Sequence, residues 1–473
     1  MKKLFIYSAL SLSLASCSMD VVNPNITENS FVGTSQSSEI WLAGMKKQLA
    51  NTLNQAVVFA EIVSDNYYNN SSLTNKVFDG PVLLYSDVDI DNTQRAIARL
   101  REMGTYGIER IVPADKGATA TAKAEMLFIK AYAHILSGEL FVALPMAANT
   151  EAVSPAVHFN EAIKLINEAI TTQTDATLKN GYQLALLRCY YNLGNRTEAL
   201  RIANSIIQSS SLMVRNAVFD GLNGASNLQQ SYTFSNSTNV LAPLPRLDFL
   251  DPKYYHVGNV NTDQKPLAIL KSEEAFLVAA EAYLGNNQLE QARTTLKALI
   301  NDVIAKRPTA MVDAKLQLRK GIRADYPVAS ATRVQADAQS AAQSKLVLGR
   351  LEGNVKVNTV SGTSVTIAEL DKAETVDQLL YLLSLIRQQV FMSEGRRMTD
   401  LGIRFPVSQI EKLNNKKIDD AFTKAVLPAY IPTGIAMDDF TYDKANNLVV
   451  IKHDMNKVLV ANKTAPNVFP MLK

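Results

Sequence analysis

Cysteine is almost missing from this chain. Two occur in 473 residues, Cys17 and Cys189, which excludes a disulfide framework and any metal site built on thiolates. Histidine is scarce as well. His134, His158, His256 and His453 lie too far apart in sequence to suggest a metal set, and no cofactor is implied. Tryptophan occurs once, at Trp41. Neither sign of charge dominates, with 48 Lys and Arg against 45 Asp and Glu and no concentrated basic stripe, so nothing electrostatic points to nucleic acid. Long hydrophobic runs are missing past the first 14 residues; a spanning helix needs roughly 20. Gly-x-Ser-x-Gly, His-Glu-x-x-His and phosphate-cradling glycine loops are also absent, which argues against an enzyme. The acidic pairs Asp419-Asp420 and Asp438-Asp439 are contiguous, and adjacent residues on a helix or strand do not face one another. Glycosidase carboxylates come from distant parts of a fold, so their absence as a motif does not by itself remove that chemistry.

What is present begins at the amino terminus. Lys2 and Lys3 precede an apolar run from Leu4 to Leu14, and Leu14-Ala15-Ser16-Cys17 closes it. A basic start, a run too short to span and small residues ending in Cys form the pattern of a bacterial lipoprotein signal. Cleavage before Cys17 leaves a cysteine whose thiol and new amino group take acyl chains, palmitate among them, and more than one chain gives stable anchoring. The alternative is an ordinary secretory signal in which Cys17 is incidental. Residues 1–16 are thus read as signal and 17–36, polar and turn-rich, as lipidated Cys and tether. Loss of Lys2 and Lys3 leaves 46 basic against 45 acidic residues, a mature charge of about +1.

Residues 37–473 read as one mainly α domain. Glu39 to Ile62 carries Ile40, Met45, Leu49, Leu53 and Val57 at helical spacings. Ala124, Leu127, Phe128, Ala131 and Ile135 form one stripe, and Phe159, Ile163, Ile166 and Ile170 form another, as amphipathic helices require. Two helix–turn–helix units follow, in the regions 118–210 and 268–304. In the first, Leu184 to Leu193 and Gly194-Asn195 precede Ala199, Ile202, Ala203, Ile206 and Ile207. In the second, Phe276, Ala279, Ala280 and Tyr283 precede Gly285-Asn286, then Leu289, Ala292, Leu296, Leu299 and Ile300. The turn glycines are 91 residues apart. Paired helices with small residues at close crossings and Gly at the turn predict tetratricopeptide-like hairpins, too irregular for a tandem array. Between them lie long insertions, 211–264 and 306–375, loop-rich with a little β. Ala329 to Gln343 predicts a helix, Val355 to Ile367 a small hairpin around Ser361-Gly362-Thr363, and Leu448 to Lys452 a strand. Cys189, within Leu184 to Tyr191, reads as a buried structural thiol.

Several segments, in order and across most of the chain, resemble the SusD/RagB family of Bacteroidetes outer-membrane lipoproteins. They are the Cys17 lipobox, Ala124 to Tyr132 with Leu144-Pro145, Ile269 to Ala282, and the block Ile386-Arg387-Gln388-Gln389-Val390-Phe391-Met392-Ser393-Glu394-Gly395-Arg396-Arg397-Met398-Thr399-Asp400-Leu401 followed by Phe405 to Glu411. The last is similar to the family's late Arg…Phe…Glu-Gly-x-Arg-x-x-Asp-Leu pattern, carried here by Arg387, Phe391, Glu394, Gly395, Arg397 and Asp400. The resemblance implies a lid over a TonB-dependent β-barrel transporter (SusC-like), anchored by lipid at the outer membrane and facing the cell surface. There it would hold an oligosaccharide, or in some members a peptide, until the barrel imports it. The family often reads sugars with tryptophan platforms; here 17 Tyr and 16 Phe supply the aromatic faces.

The block reads as structural, with Glu394–Arg397 (i, i+3) and Arg396–Asp400 (i, i+4) as helix-surface ion pairs. Two aromatic–polar loops are the candidate ligand contacts: Asp65, Asn66, Tyr67, Tyr68 and Asn70, and Tyr254, Tyr255 and Asn259. Tyrosine faces stack on sugar rings while amides and carboxylates take hydroxyl hydrogen bonds; the same tyrosines serve equally as packing residues. A tetratricopeptide scaffold with protein partners only is the rival to nutrient capture, and the long insertions argue against it. Replacing Cys17→Ala is expected to abolish acylation and release the protein from the membrane fraction. Persistence in that fraction after a carbonate wash would contradict the lipoprotein reading.

Overall fold

A computed structural model describes residues 31–70, 75–209, 212–235, 240–317 and 325–473. Cys17 and most of the tether lie outside the described residues. The chain is mainly helical, and one continuous cluster of buried side chains runs from Leu42 to Met471.

Helix α1 spans Ser37–Val63. It carries Trp41, whose indole N–H donates to the Met103 carbonyl at 2.9 Å. Strand β1, Tyr67–Asn69, follows directly. Helix α2, Val88–Tyr106, starts where the Asp87 carboxylate accepts from the Asp89 N–H. Helix α3, Ala120–Leu140, is capped by Thr119 and is buried on nearly every side, so its stripe of Ala124, Leu127, Phe128, Ala131 and Ile135 is core. Pro155 at the first turn opens α4, Pro155–Thr172, which packs on α3 at Gly138. A Cβ there would sit 2.7 Å from the Phe159 ring, so any side chain at this position would have to displace that ring.

The first expected hairpin is α5, Ala176–Asn192, with α6, Arg196–Ser209. The Asp175 carboxylate caps α5, and Gly194 turns the chain at φ 69°. Cys189 is fully buried, which pushes its thiol pKa well up. Strand β2, Val214–Ala217, comes next, then β3, Leu241–Pro243, and β4, Leu267–Lys271. The second hairpin is α7, Glu273–Gly285, with α8, Leu289–Ala298. Arg196 joins the two hairpin turns, donating to the Gly285 carbonyl at 3.2 Å and the Asn286 side chain at 2.9 Å.

The insertions hold short β elements whose partners are distant in sequence. β1 pairs antiparallel with β3, and β2 with β4. Strand β5, Thr309–Asp313, is followed by β6, Arg333–Gln335, and β7, Asn354–Asn358. The expected hairpin across 355–367 is not formed; β7 pairs antiparallel with β5 instead. The expected helix across 329–343 is also absent. Its centre is β6, which adds in parallel to β9, Leu448–Ile451, once the capped helix α9, Val376–Val390, and β8, Phe440–Asp443, have been laid down. The strand at 448 forms as expected, antiparallel to β8. Helix α10, Met455–Ala461, closes the chain against α9.

Two histidines that are 24 residues apart meet in the core. His134 Nδ1 and His158 Nδ1 lie 3.0 Å apart, and His158 Nε2 faces the Leu144 carbonyl at 3.0 Å. Burial lowers both pKa values, to about 2 for His134, where His158 and Arg101 add to the effect, and to about 4 for His158. The folded state therefore refuses protons that the unfolded chain takes up near pH 6.5. The pair's stabilisation is present above pH 6.5 and lost as pH falls from there through 4. Thermal melts between pH 7 and 4.5 should show a smaller fall in Tm for His134→Gln/His158→Gln than for the parent.

Candidate functional site

The loop that follows α1 is built into the core. Asp65, Asn66, Tyr67 and Asn69 have no exposed surface and Asn70 retains 5%. The cause is local: β1 is paired to β3 immediately after the turn, and the Asn70 N–H donates to the Val240 carbonyl at 2.7 Å. Tyr67 Oη hydrogen-bonds Ser393 Oγ, and the Asn66 amide donates to Glu61 Oε2 at 2.9 Å. Asp65 accepts from Arg397 at 2.5 and 3.0 Å and from the Gln388 amide at 2.9 Å. This corrects the first candidate loop: Asp65, Asn66 and Tyr67 offer a ligand no accessible face. Tyr68 remains partly exposed, with Lys76 Nζ 3.6 Å from its ring centroid.

The late block carries these contacts. Helix α9 stops at Val390, and Ser393 and Gly395 both take positive φ, 64° and 71°. Gly395 is required there, since its Cβ position lies 3.0 Å from Val57 Cα. The break removes the helical geometry expected of Glu394 and Arg397, whereas Arg396 and Asp400 stay on one short helical turn, Arg397–Asp400; in both cases the side chains pair instead with buried partners from elsewhere in the chain. Glu394 takes Lys253 and Lys271, whose Nζ lies 2.7 Å away. Arg397 takes Asp65. Arg396 takes Glu274 at 3.1 Å, shared with Arg188 at 2.7 Å. Asp400 takes Arg387 at 2.8 Å. Phe391 packs beneath, its ring centroid 5.1 Å from Lys271 Nζ.

The pKa directions follow from this wiring. Burial pushes the Asp65 carboxyl up, yet Arg397 and Arg246 outweigh it and hold it below the usual range. Burial likewise opposes, and Arg188 and Arg396 overcome, in Glu274, which falls to about 2. Glu61 has only neutral donors, the Asn66 amide and the Gly395 N–H at 2.7 Å, so burial wins and raises it to about 7. Burial lowers Lys271 to about 8, Glu394 opposing.

The second candidate loop borders open space. A cleft of about 400 Å³ is lined by Tyr254, Tyr255, Lys253, Lys265, Asn216 and Thr309, among others. It lies between the ribbon of β2 and β4 and that of β5 and β7. Tyr254 is 2% exposed and its hydroxyl donates to the Ser393 carbonyl at 3.0 Å, so it anchors the cleft wall to the late block. Tyr255 is half-buried, with Lys265 Nζ 4.5 Å from its ring centroid. Asn259 is exposed and shapes the adjoining turn, its side chain accepting from the Asn261 N–H at 2.9 Å. Sequence reading missed Lys265, Asn216 and Thr309, which carry no motif and come together at the cleft from three separate stretches of chain. Among the described residues no group of His, Cys, Asp and Glu has a metal-holding arrangement, and no helix is long and apolar enough to cross a membrane.

Solved structures of SusD-like proteins share this mainly helical fold. A SusD superfamily protein from Bacteroides fragilis matches with a TM-score of 0.56 and 12% identity, over 82% of this chain and 100% of that one. A SusD superfamily protein from Bacteroides thetaiotaomicron matches at 0.51 and 12%, over 83% and 99%. A SusD-like carbohydrate binding protein from Bacteroides vulgatus matches at 0.51 and 12%, over 78% and 83%. At such identities the likeness is one of fold. No family model matches the sequence, and no curated protein does.

Removing one partner of a buried ion pair strands the other, at a cost of about 3–5 kcal/mol. Arg397→Met should lower the urea midpoint accordingly. Adding Asp65→Asn to it should recover part of the loss, because the stranded charge is then gone; a double variant less stable than the sum of the singles would contradict a paired network.

Proposed function

We propose that this chain is a SusD-family surface lipoprotein that binds an oligosaccharide or similar polar nutrient without chemically altering it and passes it to a TonB-dependent outer-membrane barrel. The observation that carries the reading is the shared fold along about four-fifths of the chain, one of those solved structures being a carbohydrate binding protein. The Tyr255 cleft supplies a suitable receptor. It offers a half-buried aromatic ring, the Lys265 ammonium and the Asn216 and Thr309 side chains, a mixture that suits a hydroxyl-rich ligand. Asn259 and Tyr68 are the further contacts we assign to the ligand, with Tyr254 acting from behind as a wall.

A peptide is the second reading, favoured by one observation. The cleft lies between two ribbons of two strands each, and every strand of such a ribbon has one edge unpaired within it. Unpaired edges accept an extended main chain.

Tyr255→Ala combined with Lys265→Ala should weaken binding of the true ligand about tenfold or more while leaving Tm within a degree or two, since stacking and a charged contact together contribute roughly 1–3 kcal/mol. Glycan and peptide arrays read by calorimetry identify the ligand class, and unchanged affinity in the double variant removes this cleft. Mild-detergent capture of the lipidated protein from its own cells should bring down a stoichiometric large barrel; soluble partners alone would favour the scaffold reading.

A further inference from the structure

Away from that cleft, beneath the last residues of the chain, lies a small cavity of about 30 Å³. That is room for roughly two water-sized spheres. Its walls hold four guanidiniums, Arg387, Arg396, Arg397 and Arg404, against the single lining carboxylate of Asp400. All four arginines are nine-tenths or more buried. Arg396 and Arg397 spend their charge on Glu274 and Asp65. Arg404 donates to the Gly138 carbonyl.

Arg387 is different. Its Nε donates to Asp400 Oδ1 at 2.8 Å, while Nη1 and Nη2, like Asp400 Oδ2 and Arg396 Nε beside them, are buried with no hydrogen-bond partner among the described residues. Tyr191 stacks on this guanidinium, its ring centroid 4.5 Å from Cζ, and a ring face accepts a cation without satisfying in-plane donors. Two orphaned donors on a buried cation are among the costliest groups a fold carries. The surrounding charge leans the same way. With Arg188 and Arg246 behind them, six guanidiniums face Asp65, Asp454, Glu139, Glu274 and Asp400, and the sixth acid, Glu281, is held at about 7 by burial despite Arg387 nearby. Near pH 7 Glu281 therefore balances its share of the guanidinium charge only in part.

The roof is also held in an unfavourable shape. Asn467 and Phe469 line the cavity at φ 64° and 45°, a region that asparagine tolerates but that costs a bulky residue such as Phe469 energy. The Met471 N–H donates to Glu281 Oε1 at 3.0 Å, and the Tyr191 hydroxyl donates to Oε2 at 3.0 Å, so the terminal segment is drawn down over the arginines.

We propose that this cavity is a binding site for one small monovalent inorganic anion of chloride size, held by Arg387 and Arg404 and roofed by Asn467 to Pro470. The four oxygens of a phosphate or sulfate need more than two water-sized spheres, which excludes them. The probe is bromide. Crystals of the protein equilibrated in 0.1 M bromide, a concentration of about the size that a physiological site must recognise, should give an anomalous peak within hydrogen-bonding distance of Arg387 Nη1 or Nη2. In solution, exchanging gluconate for bromide at fixed ionic strength should raise Tm by about 2–4 °C, saturably, and Arg387→Met should abolish the increment. If that variant does not fold, the anomalous map of the parent protein decides. No peak at 0.1 M, or one that emerges only at molar bromide as an adventitious ion only, overturns the proposal.

Discussion

The contact on which the rest of the structure depends is the buried pair of Asp65 and Arg397, 332 residues apart in sequence. Around it converge Arg246 from the first insertion, Gln388 from α9 and Asp454 at the start of α10. Three separate regions of the chain thus meet at one carboxylate, and Asp454 joins them through Arg246. Taking such ions out of water is costly, and the interior repays it only where each remaining donor and acceptor is matched. Asp65 is matched on both oxygens, and Asn456 serves Arg397 and Gln388 in turn at 3.1 and 2.9 Å. The helical hairpins supply apolar area; this network decides which way the late block and the insertions lie on them.

The same logic separates the two places where sequence suggested ligand contacts. Both are aromatic–polar loops, and composition does not distinguish them. The loop after α1 is consumed by the network, since its carboxylate, amide and phenol all have partners supplied from the late block or its neighbours. The loop at Tyr254 and Tyr255 divides between the two roles, one ring pinned to Ser393 and the next turned to the cleft. A wall fixed to the core with one residue free to bind is the arrangement a preformed receptor needs.

The helices were legible because their signals are local. Stripes such as Ala124 to Ile135, the glycine turns at Gly194 and Gly285, and the buried setting of Cys189 can be read within a window of a few turns. The misread elements are those whose partner lies far along the chain. Ala329 to Gln343 has helix-forming composition, yet Val334 pairs with Val449, 115 residues later, and tertiary pairing outweighs propensity. Val355 to Ile367 alternates as a hairpin does, but its partner is upstream at β5. Spacing alone pairs Glu394 with Arg397 on an unbroken helix, and two positive φ values interrupt it; it pairs Arg396 with Asp400 on a turn that does form, but Glu274 and Arg387 take these two instead. The meeting of His134 and His158 left no mark in the sequence at all.

The distance between Asp65 and its counter-charges also bears on how the molecule comes into being. A chain that emerges amino terminus first presents Asp65 long before residue 397 exists beside it, so the first helices have an apolar surface to collapse upon but an acid they have no means to neutralise. Closure waits for the far end of the polypeptide, and loop-closure entropy makes so long-range a junction slow to form. An interrupted or truncated chain is left with an uncompensated charge at its centre and open to proteolysis. The network is in that sense a test of completeness, passed only when the last helix has arrived.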